Sequence, residues 1–430
     1  MNKVSGFITK FQNLILIFYP FLLGKDGSHT RYIVTIAFVI LGIFNLLINK
    51  KVHSIPKKIL VSFLGCIVFL SLSLIKLDKV YLNEIIIYYK EIVVCFLFVI
   101  MLTQLDINEK LKKCMLPLIS VFSLYPLYRA MREWSLMGFD TEIRLTGNHG
   151  PSIFAVELGL FAIVSLIVIL YYKKIYLKVI ALIAGVLCLF CILGTQTRSV
   201  IIILPLIIIG ILVIRNFKVG ILASLALCAV LVFFVSLNPD EYLRRFDTEN
   251  SDGGASNNIR MEIYKRSVKV GIESKFMGIG FFNYRRASLA MEPYYTDYID
   301  YDKKEYKEEK VPEPLNVKAM ACVAEHTHSN FLEVLITQGI FAFLFYIFLI
   351  FSLFWELIKK FRQELEEINK GIILAALAAL LFVTLNGIID VNLYMNQVNQ
   401  LLALLLGIAF SKNHRERGRE NEIISGNNNI

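Results

Sequence analysis

His326 and His328 stand two residues apart in the stretch Ala324-Glu325-His326-Thr327-His328-Ser329-Asn330-Phe331-Leu332-Glu333, where the only long hydrophilic segment of the chain meets an apolar run. Imidazole is the side chain best suited to take a proton from a hydroxyl near neutral pH. Asn330, with Glu333 three residues later, reads as a capping box with Asn in place of Ser or Thr, so a helix is expected to begin there. A helix N-terminus just behind His328 favours the neutral ring that a general base needs. His326 either orients His328 or belongs to the loop.

Three more polar stretches carry cations. They are Arg144-Leu145-Thr146-Gly147-Asn148-His149-Gly150-Pro151, the turn Gly194-Thr195-Gln196-Thr197-Arg198-Ser199, and Arg260 with Lys265 and Arg266, followed by Phe276-Met277-Gly278-Ile279-Gly280. A guanidinium presents a planar fork that fits a pair of phosphate oxygens, and several together can hold a diphosphate. The plainer reading is that each arginine snorkels to lipid headgroups or pairs with a carboxylate such as Asp140 or Glu142. The Arg198 turn has no acid nearby, which favours the anion. His149, beside a turn glycine, reads as facing water.

These stretches must be positioned by membrane helices. Of the 430 residues, 56% are hydrophobic, and the mean hydropathy is +0.61. About twelve apolar runs reach or approach the roughly 20 residues that cross a bilayer core. They cover 8–24, 32–49, 59–76, 84–103, 114–129, 151–172, 176–193, 199–214, 217–237, 330–356, 370–388 and 392–411. No cleavable signal peptide is evident, so the first run is expected to stay as an anchor. The predicted fold is an all-α polytopic transmembrane bundle with one large extracytoplasmic loop holding short amphipathic helices. Nine spans fall within 1–237, the loop covers 238–328, three spans lie in 329–411, and 412–430 forms a disordered cytoplasmic tail.

Basic residues set the expected orientation. Lys50, Lys51, Lys57, Lys58, Lys110, Lys112, Lys113, Lys173, Lys174, Lys178, Arg215, Lys218, Lys359, Lys360, Arg362 and the tail cations all fall on one side if both termini are cytoplasmic. The segments 129–150, 194–199, 238–328 and 386–396 then face outward. The formal charge of +10 sits in the short loops and the tail, while 238–328 is nearly balanced. That distribution is topogenic and argues against a nucleic-acid partner. Residues 257–271, with Ile259, Ile263, Val268 and Val270 between cations, read as an amphipathic helix at the interface. The tyrosine-rich acidic stretch 294–313 reads as mobile loop. The seven cysteines give no disulfide framework; Cys188 and Cys191 form a C-x-x-C inside an apolar helix, which is packing, and Cys322 in the long loop has no evident partner. Lys90 and Glu91 in the fourth span and Glu157 in the sixth are functional suspects by depth, with mutual pairing the commoner explanation. Asp390 either lines an outer cavity or caps a helix.

Together the motifs resemble the O-antigen ligase and O-antigen polymerase (Wzy-type) family of bacterial membrane glycosyltransferases. The Thr195-Gln196-Thr197-Arg198-Ser199 turn matches that family's Thr/Ser-rich turn with an Arg-Ser or Arg-Gly pair before a span. Arg260 and Gly278-Ile279-Gly280 match the loop arginine and Gly-x-Gly, with Phe276-Met277 where a Pro often stands. His328-Ser329-Asn330-Phe331-Leu332-Glu333, with Gly339 beyond, is similar to the closing His-Asn-x-Tyr-Leu-x, with Ser329 in the usual Asn place. Arg144 and Gly147 match an upstream Arg-x-x-Gly, while the following Asn-Pro-Asn is reduced to Gly150-Pro151-Ser152. The resemblance covers about 140–345.

The resemblance implies a GT-C-like enzyme that moves a glycan from a polyprenyl diphosphate to an acceptor sugar hydroxyl on the outer face of the bacterial inner membrane, without metal or cofactor and with inversion. His328 would be the catalytic base and Arg144, Arg198 and Arg260 the diphosphate ligands, supported by His326, Asn330, Arg266, Thr197 and Ser199. The implied partners are the polyprenyl-diphosphate-linked oligosaccharide, the acceptor glycan, membrane lipid, a flippase and a chain-length regulator. A repeat-unit polymerase of O-antigen or capsule is the favoured reading, and a ligase to a lipid or protein acceptor the alternative. A transporter or flippase would place polar residues through the membrane depth with short loops on both sides; here they gather on one face.

Overall fold

The computed structural model describes residues 3–24, 28–49, 55–76, 82–138, 144–147, 150–222, 224–225, 252–291, 299–300, 305–306, 321 and 324–411. His149, Cys322, Asp140, Glu142, most of the expected span 217–237 and the tail 412–430 lie outside them. In hydrocarbon every backbone donor and acceptor must be satisfied internally, so the apolar runs become helices. They are α1 (Lys3–Gly24), α2 (Ser28–Asn49), α3 (Lys57–Ser73), α4 (Leu82–Gln104), α5 (Glu109–Phe122), α6 (Leu124–Leu136), α7 (Pro151–Tyr171), α8 (Ile175–Thr195) and α9 (Arg198–Arg215). The loop contributes α10 (Asp252–Glu273), α11 (Tyr284–Ala290) and the start of α12 (Asn330–Glu333), and the chain closes with α13 (Ile340–Gln363), α14 (Glu367–Ile389) and α15 (Asn396–Phe410).

Ten candidate spans among the described residues are long and apolar enough to cross a membrane, so the protein is a multi-pass membrane protein. The expected run 392–411 is the shorter apolar helix α15. The expected run 114–129 is part of a longer unit, because α5 and α6 continue through Ser123 to give a candidate span Glu109–Leu136. Helix α7 is the axis of the bundle. It is the most enclosed span, and it packs on α8, α14, α5, α9 and α15.

The expected tenth span, 330–356, is broken. Helix α12 passes into a π-helical turn, Val334–Gln338, which ends at Gly339 with φ +95° before α13 begins. Such turns are rare and store a local distortion that neighbouring structure must hold. Here the loop glycines hold it. Ile279 N donates to Ile336 O (3.0 Å), Gly280 N to Thr337 O (2.9 Å), and Ile340 N to Phe276 O (2.9 Å). A Cβ on Gly278 would lie 2.8 Å from the Gln338 carbonyl carbon, and one on Gly339 3.0 Å from that of Met277. Two backbones thus touch at a place only glycine permits. Lys76, at the end of α3, donates to Gly278 O (2.7 Å) and anchors the loop to the bundle.

Helix α10 is longer than the amphipathic segment expected at 257–271. Ile263 and Val270 are buried with Tyr284, Ala321 and Ile336, while Val268 is exposed and belongs to the opposite face. In the stretch expected to be loop, Ile299–Asp300 pairs antiparallel with Glu305–Tyr306. Lys90 is exposed, and Glu91 accepts from Asn396 Nδ2 (2.9 Å).

Candidate active site

Four stretches far apart in sequence are bonded into one end of the bundle. Arg144 Nε donates to Thr195 O (3.0 Å) and its Nη2 to Thr197 Oγ1 (3.5 Å), so the first arginine stretch lies on the α8–α9 turn. Thr197 Oγ1 also reaches Pro151 O (3.3 Å), at the start of α7. Gln196 takes a left-handed conformation (φ +54°) that reverses the chain and leaves Arg198 as the first residue of α9. Next to it Ser199 Oγ accepts from Asn386 Nδ2 (3.0 Å), tying this turn to the end of α14. Tyr264 on α10, one turn from Arg260, donates to His328 O (3.2 Å) and lies 3.4 Å from Ile389 O. The loop helix is thereby pinned to the histidine turn and to α14 at once.

The histidine turn is strained and heavily braced. His328 has φ +52°, a conformation rarely taken by a residue with a side chain and held only where surroundings over-determine it. The brace is Glu333, which is fully buried and accepts from Thr327 N (2.9 Å) and from Tyr394 Oη (2.6 Å). Thr327 Oγ1 donates to Ser329 O (3.0 Å). Burial pushes the Glu333 carboxyl above the usual range, opposed by these bonds and by the charge of His328. The expected capping box at Asn330 is not formed. Ser329 occupies the cap position, and Asn330 is the first helical residue. Its Oδ1 instead accepts from Asn392 N (2.7 Å) and Leu393 N (3.1 Å), so it fastens the turn after α14. A side chain that satisfies two amides of another segment has more to do than cap its own helix.

That turn delivers Asp390. Its backbone closes α14, and its Oδ1 accepts from Val391 N (2.9 Å) and stands 3.7 Å from His328 Nδ1. Of the two readings the sequence left open, Asp390 takes the helix-cap position, at the C-terminal end of α14. The gap is longer than a hydrogen bond but within ion-pair reach, and such contacts commonly tighten when substrate closes the site. Burial alone would raise the Asp390 carboxyl, yet His328 and the Arg260 charge hold it below the ordinary carboxylate value. His326 packs edge-on to His328, ring centroids 4.6 Å apart. Burial, and then the neighbouring His328 charge, push its imidazole down to about 4, so His326 is neutral at neutral pH. On its far side Tyr394 packs against Tyr88, Phe281 and Phe282.

Of the arginines singled out in the sequence, Arg198 and Arg260 are half-buried at this end and Arg144 is exposed, and Arg260 acts electrostatically on Asp390 and Tyr264. Arg266 differs. It is 2% exposed and paired with Glu262 at 3.4 Å, so it braces α10 from within. Tyr264, Tyr394, Asn386 and Asn392 were not singled out. The only signal for the last three was that 386–396 is an outward turn unusually rich in asparagine. Among the described residues no group of three or more His, Cys, Asp or Glu is arranged to hold a metal ion.

Residues 183–347 match the family model described as O-antigen ligase, which supports the O-antigen ligase and polymerase family for this chain. The matched segment contains the Arg198 turn, Arg260, the paired glycines and the histidine turn, but neither Arg144 nor Asp390. No curated protein matches the chain.

Proposed function

We propose that this protein is a membrane glycosyltransferase that moves a glycan from a polyprenyl diphosphate to a sugar hydroxyl and so polymerises the repeat units of a surface polysaccharide. The observation that carries this reading is the meeting of His328, Asp390 and Arg260 beside the Arg144–Arg198 turn. His328 Nε2 takes the proton of the acceptor hydroxyl while Asp390 faces Nδ1 and fixes the ring. The hydroxyl oxygen forms the new bond to the anomeric carbon as the bond to the diphosphate breaks, with inversion. Negative charge grows on the leaving diphosphate, and Arg144, Arg198 and Arg260 stabilise it in place of a divalent ion. His326 stays uncharged and keeps one face of the site apolar; Asn330 and Ser199 hold its parts in register.

The basic loops gather at the opposite end of the helices, which supports cytoplasmic termini and an outward site in the bacterial inner membrane. Ser288 is buried, so sidedness is best read at Met277, which is 64% exposed. Met277→Cys is expected to react with an impermeant thiol reagent in intact cells; labelling only after permeabilisation contradicts the orientation. The acceptor is tested in a host lacking the protein. Single lipid-linked repeat units accumulating identify a polymerase. Intact lipid-linked polymer identifies a ligase, the alternative reading.

A further inference from the structure

Lys76 closes the candidate span Lys57–Lys76 and Ile340 opens the span Ile340–Gln363, so both mark the water–membrane boundary at the site's end of the bundle. Between the end of α3, the loop 276–280 and the π-turn lies a pocket of about 540 Å³ of non-atom space, its open mouth included. Its apolar side is Phe69, Leu72, Phe276, Met277, Ile340 and Phe341, with Phe69 and Phe341 stacked at 6.0 Å. Its polar side is Ser73, Lys76, Thr337 and Gln338. The lining includes neither a carboxylate nor His328, Asp390 or the three candidate arginines. Leu72, Met277 and Phe341 are exposed, so the rim faces lipid. Lys76 does more here than snorkel. It reaches Gly278 O (2.7 Å), a bond that uses one of its three ammonium protons. The other two are left at the boundary with no lining acid to answer them.

The contacts of this pocket run on to the histidine turn. Asn283 Nδ2 donates to Lys76 O and to Ile279 O (3.0 Å), and Phe281 N to Ser73 O (3.3 Å), so the end of α3 and the glycine loop move as one. Gly280 N holds Thr337 O (2.9 Å), and Thr337 Oγ1 donates to the backbone oxygen of Glu333 (2.6 Å), the residue that braces His328.

We propose that this pocket binds the phosphodiester headgroup of an anionic membrane phospholipid, with Lys76 as its counter-ion, and that the bound headgroup stiffens the π-turn behind His328. The charge selects the occupant. One ammonium answers one phosphodiester, and no lining carboxylate answers the amine of a zwitterionic headgroup. Phe69, Leu72 and Phe341 then take the first carbons of the acyl chains, and Gln338 offers an amide to the phosphate or glycerol oxygens. The site goes beyond the transfer reaction and does not depend on it.

The full-length protein in phosphatidylcholine nanodiscs is illuminated with a trace of phosphatidylglycerol carrying a diazirine near its glycerol, and adducts are mapped by mass spectrometry. The expected adducts fall on 69–76, 276–280 and 337–341. They should be at least about fivefold stronger than with the matching phosphatidylcholine probe, the scale of one lysine against an anionic headgroup, and unchanged by inorganic phosphate. Equal labelling by both probes, displacement by inorganic phosphate, or adducts spread over the lipid-facing helices overturns the site. Lys76→Gln is expected to lose that preference and Lys76→Arg to keep it; a folded Lys76→Gln that keeps it removes Lys76 as the counter-ion. If Lys76→Gln does not fold, the comparison of the two probes on the wild type decides. Exchanging neutral for anionic lipid should also slow hydrogen exchange at the Ile279, Gly280 and Ile340 amides by roughly threefold or more; unchanged exchange overturns the stiffening role. Neither measurement involves glycan transfer, so a protein that binds the lipid and never transfers glycan fails the proposed function and leaves this site standing.

Discussion

At the end of the bundle that holds Lys112, Lys113, Arg215 and Lys360, cations meet carboxylates or cap helix ends. Lys113 pairs with Glu109 (2.7 Å) and Glu366 (2.5 Å), and Arg215 with Glu367. Lys112 Nζ donates to Ser411 O (3.0 Å), and Lys360 Nζ to Ala409 O (3.2 Å) and Phe410 O (3.3 Å), which answers the last carbonyls of α15. At the opposite end Arg144 and Tyr264 bond backbone and hydroxyl oxygens, a histidine holds a left-handed conformation, and a buried glutamate braces it. The first end settles its charges locally and rests in ordinary geometry. The second accepts strain, sets the Arg260 charge against Asp390 and packs two imidazoles together. Strain held by redundant bonds is expected where a protein organises chemistry rather than stability.

Substitutions at the two ends should therefore differ in kind. The largest loss is expected for His328→Ala, about 10²- to 10⁴-fold in rate with normal membrane insertion, measured as polymer formed per unit protein. Arg198→Ala should cost about 10²-fold, on the scale of a lost transition-state donor. Arg198→Lys should fall between that and wild type, because it keeps the charge but not the fork. Full activity in Arg198→Lys would remove the bidentate role.

Glu333→Gln and Tyr394→Phe test the brace. Each removes part of a buried bond pattern worth about 1–3 kcal/mol, so turnover should fall roughly tenfold with little change in donor affinity. A rise in KM alone would place Glu333 outside the alignment of His328. At the other end Lys113→Ala should change stability by about 1 kcal/mol or less and leave turnover intact, as exposed ion pairs do.

Acid sharpens the same contrast. His326 carries a folded value near 4 against an ordinary 6.5, so the opened turn binds more protons between these values. Stability of the closed turn then rises with pH across this window and is lost as pH falls from about 6.5 to 4. Asp390, held low, loses its contribution only below that window. Hydrogen exchange of the turn amides should show this acid loosening, and His326→Asn should flatten it.

The contrast also explains what could be read from sequence. Spans and loop charges follow from composition, so the bundle and its basic end were legible in apolar runs and lysines. His328, Arg198 and Arg260 were legible because polar residues at span ends are conspicuous and their order resembles a known family. The capping box read at Asn330 is a local pattern, whereas its two partners, Asn392 and Leu393, lie about sixty residues away. The π-turn was hidden because Val334–Gln338 opens an apolar run without a break in pattern, and only contact with Gly278 and Gly280 reveals it. The pairing of Asp390 with His328 required the fold itself.

The central claim is that the strained end transfers glycan from a lipid diphosphate through His328. Purified protein in liposomes is given a polyprenyl-diphosphate-linked repeat unit in the presence of a metal chelator, and free polyprenyl diphosphate is followed alongside product length. The wild type is expected to release one polyprenyl diphosphate for each glycosidic bond formed, and His328→Ala, inserted to the same level, to release none above background. Release that requires an added divalent metal, or that proceeds equally in His328→Ala, contradicts the account.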